Sequence, residues 1–329
     1  MTHRKTFGFI GAGAWGTALA LVAARAGNDV VLWARAPETA ARMATDRENA
    51  ARLAGVPFDP AIRTTALAKD LATADVWLLA LPAQALRQAL AAFAPHARPG
   101  LPVVITAKGI ERGTNQLLTD VLTEVLPQVE PLVLSGPSFA IDVARGLPTA
   151  VTLAARTLDT ARPIAEALGT TAFRPYISDD LAGVQIGGAI KNVLAIAAGI
   201  VVGRELGESA RAATIARAFA ELTRFARPFG ARPETLAGLS GLGDLVLSCA
   251  SPQSRNFKLG LTIGRDGNLS GTAPGLTEGA FTADAAVEIA DREGIDVPIM
   301  RAVADILNGK AATEAVIARL MQRPLKSEN

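Results

Sequence analysis

The chain is 329 residues long and half of its residues are hydrophobic, which is enough for about two domains with cores of their own. Its formal net charge is only +2, no basic stripe is present, and aromatic residues are few, so the composition argues against nucleic-acid binding. The single cysteine, Cys249, cannot form an internal disulfide and fits a reducing compartment. No cluster of cysteine and histidine has the spacing of metal ligands.

The N-terminus has some features of a secretory signal, because basic residues 3–5 precede an apolar run that reaches Ala18-Leu19-Ala20. Four glycines interrupt that run at places that a different motif explains better: Gly8, Gly11, Gly13 and Gly16. We therefore expect a mature, cytoplasmic protein rather than a secreted one.

A strand, a glycine turn, a helix and a second strand follow one another within about 30 residues. They are predicted at Thr6–Ile10, Gly11–Gly16, Thr17–Ala26 and Asp29–Trp33. In such a turn Gly11 makes the tight bend, Gly13 lets the backbone approach a pyrophosphate, and Gly16 permits close packing of helix on strand. The N-terminus of the helix then faces the phosphates. The segment predicts a dinucleotide site, and a glycine turn without a ligand is the less favoured alternative.

The end of the second strand bears on which dinucleotide binds. NAD-selective sites usually carry an acidic residue there, but this chain has Trp33-Ala34-Arg35 and no acid before Glu38. A guanidinium at this point suits the 2′-phosphate of NADP. We predict NADP(H) as the favoured cofactor, with NAD(H) as the alternative; a solvated surface arginine is the less favoured explanation of Arg35.

Strands and helices continue to alternate up to residue 179. Further strands are predicted at Asp75–Ala80, Pro102–Thr106, Pro131–Ser135, Thr149–Leu153 and Ala172–Tyr176, and helices at Gln84–Phe93, Asn115–Leu126 and Leu158–Leu168. Repeated β–α units predict an α/β fold with a parallel, doubly wound Rossmann-type sheet. The strand pattern then stops, and helices are predicted at residues 181–203, Ala210–Arg227, Pro233–Leu239, Thr282–Glu293, Ile299–Leu307 and Ala311–Met321. We expect a dinucleotide-binding domain over residues 1–179 and an all-α domain over residues 180–329.

The predicted helix over residues 181–203 is apolar on nearly every side, which is typical of a helix buried in a core. Lys191 lies near its middle, and a buried ammonium is costly unless it is paired or lines a wet cavity. Gly187 and Gly188 share the face of Lys191 one turn below it and would leave room for a ligand, and Asn192 adds a polar group. The alternative is a lysine that extends to the surface. The uninterrupted apolar run after Asn192 is too short for a membrane span.

Other polar groups follow predicted strands or stand in the helical region. Lys108 and the small-residue loop 136–140 each follow a strand, where ligands of open α/β sheets bind. Asp244 is a lone acid among apolar neighbours, and residues 254–256 are adjacent donors suited to a phosphate or carboxylate. Solvated surface loops explain Lys108 and residues 254–256 equally well by position alone. A mobile loop and a disordered tail are predicted at Gly264–Gly275 and Arg323–Asn329.

Together these motifs resemble those of the bacterial NAD(P)-dependent sn-glycerol-3-phosphate dehydrogenases, in the same order and over nearly the whole chain. They are Gly11-x-Gly13-x-x-Gly16, Ala107-Lys-Gly109, Ser135-Gly-Pro-Ser-Phe-Ala140, Gly187-Gly-Ala-Ile-Lys-Asn192, Gly241-Leu-Gly-Asp244 and Gln253-Ser-Arg-Asn256. Many enzymes share the glycine motif and related dehydrogenases share the lysine motif, whereas the blocks over 135–140 and 253–256 together are specific to this family.

The resemblance implies reversible hydride transfer between dihydroxyacetone phosphate and sn-glycerol 3-phosphate for glycerophospholipid synthesis, with Lys191 as catalytic acid/base. It implies substrate contacts from Lys108, Gly136, Ser138, Lys191, Asp244, Ser254, Arg255 and Asn256. It implies cofactor contacts from Gly11, Gly13, Ala14, Trp15, Gly16, Arg35, Lys108, Ala140, Arg255, Leu276 and Glu278. The family often has serine where this chain has Ala14, and residues 203–209 are more charged than the family leads us to expect.

Two other functions stay open from the residues alone. A β-hydroxyacid or ketopantoate-type reductase also uses a lysine on a helix, but it should lack residues 254–256 as they stand here. A dinucleotide-binding sensor without turnover should lack an acid/base residue such as Lys191. The resemblance favours the dehydrogenase, and it further implies a homodimer with a small-molecule substrate. From the composition we expect no nucleic-acid partner, and from the lack of a transmembrane or lipidation signal we expect no stable membrane insertion.

Overall fold

The computed structural model describes residues 4–267 and 277–324. One eight-stranded sheet organises the first part of the chain. Its strands are β1 (Thr6–Ile10), β2 (Asp29–Trp33), β3 (Ile62–Thr65), β4 (Val76–Leu79), β5 (Pro102–Ile105), β6 (Glu130–Ser135), β7 (Thr149–Ala154) and β8 (Phe173–Ser178). Their spatial order is β3-β2-β1-β4-β5-β6-β7-β8. The order reverses between β1 and β4, and the carboxyl ends of parallel strands at such a point form a crevice for ligands.

Helices cover both faces of this sheet. They are α1 (Ala14–Arg25), α2 (Pro37–Asp46), α3 (Ala50–Leu53), α4 (Leu86–Ala91), α5 (Leu118–Val125), α6 (Ala140–Ala144) and α7 (Leu158–Leu168), with short 3-10 turns at Ala68–Leu71, Ala83–Ala85 and Ala94–His96. Helices α1, α6 and α7 belong to one hydrophobic core, and α4 and α5 belong to another. The sheet is therefore doubly wound, in agreement with the sequence pattern.

The region between β2 and β4 contains elements that the sequence pattern did not reveal. Helix α2 buries only Ala40 and Met43, so its apolar stripe is too sparse to stand out from a polar loop. Helix α3 and strand β3 have only four residues each. Elements this short carry little periodicity, which explains why they were missed.

The sheet is not parallel throughout, and the prediction of a fully parallel sheet was wrong in this respect. Ser135 lies opposite Thr152 in an antiparallel β6–β7 ladder, and β8 is parallel to β7. The last two strands therefore run against the other six. The cause is the connection between β6 and β7, because its only helix, α6, has five residues and spans about 8 Å. That length is too short to carry the chain back along the sheet to its starting edge.

The second part of the chain is helical. Its helices are α8 (Leu181–Gly203), α9 (Glu208–Ala226), α10 (Pro233–Leu236), α11 (Asp244–Ala250), α12 (Arg255–Asp266), α13 (Glu278–Glu293), α14 (Pro298–Leu307) and α15 (Thr313–Met321), with a 3-10 turn at Arg227–Phe229 and a π-helical turn at Leu239–Gly243. Asp180 caps α8, because its carboxylate accepts from Gly183 N at 2.7 Å. Among residues 4–267 and 277–324, α8 is the one helix long and apolar enough to cross a membrane, yet most of it is buried inside the protein.

Helix α12 crosses α8 at backbone contact, and the sequence pattern predicted no helix over its residues. A Cβ added at Gly260 would lie 2.0 Å from Ile196 O, and one at Gly199 would lie 2.2 Å from Phe257 O. Gly203 and Gly264 make the same kind of approach one turn further along. The mobile loop expected from Gly264 therefore begins later, since α12 runs to Asp266; residues 268–275 of that loop and residues 325–329 of the predicted tail lie outside the described residues.

Candidate active site

The glycine loop between β1 and α1 is closed on one side and open on the other. Gly11 has a φ of 116°, and its Cβ would lie 2.5 Å from Ala80 O; a Cβ at Gly16 would lie 2.0 Å from Gly11 O. A Cβ at Gly13 would meet no atom within 4 Å. Helix α1 begins at Ala14 with no side-chain cap and no acid in its first turn. Its first amides thus face space in which an anion would be stabilised.

Other residues that the sequence predicts as cofactor contacts lie in or at the start of a helix or after β2. The buried indole nitrogen of Trp15 has no hydrogen-bond partner in the described part of the chain. Arg35 follows β2 and is exposed, and Glu38 is exposed in α2. Ala140 and Glu278 are the first residues of α6 and α13. Open space at Gly13, free amides and an unpaired indole donor fit a dinucleotide; Leu276 lies outside the described residues.

Two lysines share one buried carboxylate where the helical domain meets the sheet. Asp244, the first residue of α11, is 1% exposed; its Oδ1 accepts from Lys191 Nζ at 2.8 Å and its Oδ2 accepts from Lys108 Nζ. Lys191 also donates to Ser248 Oγ at 2.7 Å, and Lys108 to Gly136 O at 3.0 Å. An ammonium has three N–H donors. These bonds therefore use two donors of each lysine and leave one.

The charges of this cluster shift one another's protonation. Burial lowers the pKa of Lys108 to about 8; the charge of Asp244 opposes this shift and the charge of Lys191 reinforces it. Burial also disfavours the ionised form of Asp244, but the two ammonium groups outweigh it and hold the pKa of this carboxyl below its ordinary value. Asp244 therefore stays ionised at neutral pH. The pKa of Lys108, about 8, lies close to neutral pH.

The loop after β6 supplies the backbone partner of Lys108. Gly136 has a φ of 146°, and a Cβ there would lie 2.9 Å from Val151 Cα in the neighbouring strand. Ser138 Oγ donates to Gly136 O at 3.1 Å, so this carbonyl accepts from both Ser138 and Lys108. Glycine is required here because the backbone turns with a positive φ directly against β7.

Residues 254–256 begin a helix rather than forming a loop. Ser254 is the N-cap of α12, and its Oγ accepts from Phe257 N at 3.3 Å. Arg255 is exposed, and the first turn of α12 holds no acid. The N-terminus of α12 therefore combines a guanidinium with free backbone amides, and this arrangement favours the binding of an anion.

An amide chain links the start of α12 to the lysine cluster. Asn256 Nδ2 donates to Asn192 Oδ1 at 2.9 Å, and Asn192 Nδ2 donates to Lys108 O at 2.8 Å. Asn256 Oδ1 accepts from Gly279 N at 3.0 Å. Asn256 was expected to bind a ligand, but its side chain is largely committed to these protein contacts and keeps one N–H.

The expectation that Gly187 and Gly188 leave room for a ligand was wrong. A Cβ at Gly187 would lie 2.7 Å from Ser240 O, in the π-helical turn, and one at Gly188 would lie 2.5 Å from Ser135 Oγ and 3.4 Å from Lys108 Cγ. Protein atoms fill this face of α8. The glycines allow the turn before Asp244 and the stem of Lys108 to approach Lys191.

Sequence reasoning missed Ser248 as a partner of Lys191. Asp244 and Ser248 are four residues apart on α11 and so share one helix face. Polar residues with this spacing in an otherwise apolar helix were the signal that could have revealed it.

Two further expectations concern the edges of the site. Glu278 Oε1 accepts from Ala83 N at 3.0 Å, and burial raises the pKa of this carboxyl. A Cβ at Gly109 would lie 3.0 Å from the second oxygen of Glu278, so the start of α13 packs on the loop after β5. The charged segment 203–209 joins α8 to α9, and its Arg204 pairs with Glu314 of α15 at 2.6 Å.

The fold and this site define a nicotinamide-dependent dehydrogenase of two domains, because a dinucleotide loop and a lysine pair meet at the carboxyl edge of one sheet. The chain belongs to the NAD-dependent glycerol-3-phosphate dehydrogenase family. The model of the family's N-terminal region matches residues 6–161, and the model of its C-terminal region matches residues 180–318.

Individual relatives agree with this membership. The chain is 55% identical to a glycerol-3-phosphate dehydrogenase [NAD(P)+] from Bradyrhizobium sp. (strain ORS 278), over 100% of both chains. The crystal structure of glycerol-3-phosphate dehydrogenase from Coxiella burnetii is 35% identical, with a TM-score of 0.90 over 97% of this chain and 99% of that one. A ketopantoate reductase from Ralstonia eutropha, 16% identical with a TM-score of 0.59 over 96% of this chain and 100% of that one, shares only the fold.

Proposed function

We propose that this protein is an NAD(P)-dependent glycerol-3-phosphate dehydrogenase that transfers a hydride reversibly between NAD(P)H and dihydroxyacetone phosphate, giving sn-glycerol 3-phosphate. Family membership supports the substrate and the cofactor class. The observation that carries the chemistry is the buried cluster in which Lys191 and Lys108 each keep one N–H beside Asp244. The acid/base group is Lys191.

Lys191 acts on the oxygen of the reacting carbon. A bound nicotinamide supplies the hydride. As the ketone is reduced, negative charge grows on its oxygen, and the remaining N–H of Lys191 donates a proton to it; in the reverse direction neutral Lys191 accepts the hydroxyl proton. Asp244 and Ser248 hold the other two N–H groups of Lys191 and so fix its direction. A positioned acid/base group contributes about 10² to 10⁴ in rate.

The substrate phosphate lies at the start of α12 in this proposal. Arg255 and the free amides of the first turn bind it, with the hydroxyl of Ser254 and the remaining N–H of Asn256 beside them. Lys108, Gly136 and Ser138 face the substrate from the sheet side. Asp244 cannot bind a phosphate, because both are anionic, and it orients the two lysines instead.

The glycine loop and α1 hold the cofactor. Gly11, Gly13 and Gly16 shape the loop, and the amides of Ala14 and Trp15 face the pyrophosphate without the serine hydroxyl that the family often has. Exposed Arg35 favours NADP(H) through the 2′-phosphate, with NAD(H) as the alternative. Lys108, Arg255, Ala140 and Glu278 complete the cofactor contacts among the described residues, and Leu276 is given the same role from the sequence resemblance alone.

The same proposal covers the organisation of the protein. Residues 1–179 form the dinucleotide-binding domain and residues 180–329 form the substrate domain. The enzyme is a cytoplasmic homodimer that serves glycerophospholipid synthesis without a nucleic-acid partner or membrane insertion. The burial of α8 inside the protein supports the last point.

The test is the oxidation of NADPH by dihydroxyacetone phosphate, followed by the loss of near-ultraviolet absorbance. Wild type should turn over; Lys191→Ala should lose about 10² to 10⁴ in kcat while NADPH binding is retained. Arg255→Ala should raise the KM for the phosphorylated substrate, and Lys258→Ala, at an exposed lysine of the same helix, should behave as wild type. Reduction of ketopantoate but not of dihydroxyacetone phosphate would refute the proposed substrate. Full activity in Lys191→Ala would refute the proposed acid/base group.

A further inference from the structure

A buried asparagine outside the site described above contacts both ends of the glycine loop. Asn49 is 2% exposed, and its Nδ2 donates to Ala12 O at 3.0 Å and to Thr17 Oγ1 at 2.8 Å. Ala12 lies within the loop, and Thr17 lies in the first turn of α1 and is 1% exposed. One amide nitrogen therefore joins the start of the loop to the helix that follows it.

The side chain of Asn49 is directed away from its own helix. Asparagine before a helix usually accepts from the backbone of the first turn, but Asn49 makes no such bond to α3. Its backbone carbonyl accepts from Arg52 N at 3.0 Å and from Leu53 N at 2.8 Å, and Leu53 is buried. The backbone of Asn49 is thus held by α3 and its buried Leu53, and the side-chain amide extends from there to α1.

In residues 4–267 and 277–324, no other side chain makes a comparable pair of hydrogen bonds to the loop. On the sheet side, Gly11 N donates to Trp33 O at 3.2 Å, and Gly11 packs on Ala80 O. On the open side, α1 has neither a side-chain cap nor a first-turn acid, and Ala14 offers no hydroxyl. Within the described part of the chain, Asn49 therefore supplies the side-chain hydrogen bonds that tie this loop to the start of α3.

We propose that Asn49 is a positioning residue of the cofactor site: by binding Ala12 O and Thr17 Oγ1, it keeps the loop amides aimed at the cofactor pyrophosphate. The inference rests on the assignment of the glycine loop to the cofactor under the proposed function. A carbonyl can only accept, so the group that faces Ala12 O must be the NH₂ of the amide. Aspartate in its place would set a carboxylate against that carbonyl and add negative charge beside the pyrophosphate.

The inference predicts a loss of cofactor affinity, because an unrestrained loop must be ordered when the cofactor binds. Calorimetric titration of the full-length protein with NADPH, without substrate, should show a dissociation constant about tenfold higher for Asn49→Ala and higher still for Asn49→Asp. The KM for dihydroxyacetone phosphate and kcat should change by less than about threefold, since the lysine cluster is untouched.

The chain offers a matched control in Asn28. Asn28 is 3% exposed, and its Nδ2 donates to Ala23 O at 3.0 Å and to Ala167 O at 2.8 Å, at the end of α1 remote from the loop. Asn28 Oδ1 also accepts from Lys5 N at 3.1 Å, so Asn28→Ala removes a buried amide with at least as many hydrogen bonds as Asn49. Both alanine variants should lower the melting temperature, but only Asn49→Ala should weaken NADPH binding.

Substitutions of Thr17, which accepts the hydrogen bond from Asn49, test the same contact if Asn49→Ala does not fold. Thr17→Val removes the acceptor at nearly constant volume and should raise the NADPH dissociation constant about threefold, whereas Thr17→Ser keeps the hydroxyl and should bind as wild type. Equal NADPH affinities in wild type, Asn49→Ala and Thr17→Val would overturn the inference, as would an equal loss in Asn28→Ala. Failure of the wild type to bind either NADPH or NADH would instead overturn the assignment of the loop to the cofactor.

Discussion

Replacing Gly260 with alanine should weaken the substrate site without altering a proposed contact residue. The new Cβ would lie 2.0 Å from Ile196 O and 2.8 Å from its carbonyl carbon, well short of the 3.4 Å at which ordinary contact begins. Both neighbours are backbone atoms of α8, so no side chain can move aside. The two helices must therefore separate or tilt. Because Ser254 and Arg255 lie at the N-terminal end of α12, they would move with it.

The magnitudes indicate that activity should suffer more than stability. Overpacking of this kind costs about 1–3 kcal/mol, and the better helix propensity of alanine returns about 1 kcal/mol, so the free energy of unfolding should fall by about 2 kcal/mol or less. A displacement of about 1 Å in a substrate-positioning group can cost about 100-fold in rate. We expect Gly260→Ala to lower kcat/KM for dihydroxyacetone phosphate by about 10- to 100-fold, with a smaller rise in the KM for NADPH because Arg255 is also one of the proposed cofactor contacts.

Steady-state kinetics and thermal unfolding of a small series would decide this point. Gly264→Ala should have a weaker effect, because its Cβ would lie 2.5 Å from Ile200 O and one turn further from Ser254. Thr262→Ala, on a partly exposed side of α12, should have almost none. If a folded Gly260→Ala protein had the kcat/KM of wild type, this would refute the argument that backbone contact with α8 positions the N-terminal end of α12.

Two further predictions concern the cofactor and the pH dependence of stability. Arg35→Ala should raise the KM for NADPH about tenfold or more and leave the KM for NADH within about twofold, because only NADPH carries the 2′-phosphate; an equal change for both would contradict this role. Glu221 is 1% exposed, its carboxylate accepts from Ile299 N and Met300 N, and burial raises its pKa to about 7. The folded protein then holds this proton more tightly than the unfolded chain, so urea titrations should show the free energy of unfolding falling by about 3 kcal/mol as pH rises from about 4.5 to about 7. Glu221→Gln should remove most of that slope, and an unchanged slope would exclude Glu221 as its source.

The sequence revealed those parts of the fold whose signals are local. All parts of the glycine motif lie between Thr6 and Trp33. Within that span the sequence pattern changes from that of a strand to that of a glycine turn, a helix and a second strand. The change from alternating strands and helices to helices alone, near residue 179, was readable for the same reason. The reversed direction of β7 was not readable from the sequence. It depends on whether the connection through the short helix α6 can return the chain to the opposite edge of the sheet, and local periodicity does not show the length of that path.

Helix α12 shows how packing can hide an element from sequence analysis. Gly260 and Gly264 each lower the helix propensity of the segment by about 1 kcal/mol, which favours a loop assignment. The same glycines are required because the backbone of α8 lies against them. The local signal and the tertiary requirement therefore point in opposite directions, and only the N-cap at Ser254 marked the helix start.

The convergence of Lys108, Lys191 and Asp244 was likewise outside the reach of local patterns, since Lys108 and Asp244 are 136 residues apart. The arrangement solves two problems with one carboxylate. An ammonium buried alone on α8 would be costly, and the carboxylate of Asp244 pairs with the ammonium of Lys191. Because Lys108 comes from the sheet domain and Asp244 from the helical domain, the same carboxylate also fixes the two domains relative to each other. Asp244 and Ser248 accept from Lys191, and Asp244 and Gly136 O accept from Lys108, so each lysine presents a single N–H and the proposed acid/base group is held in one direction.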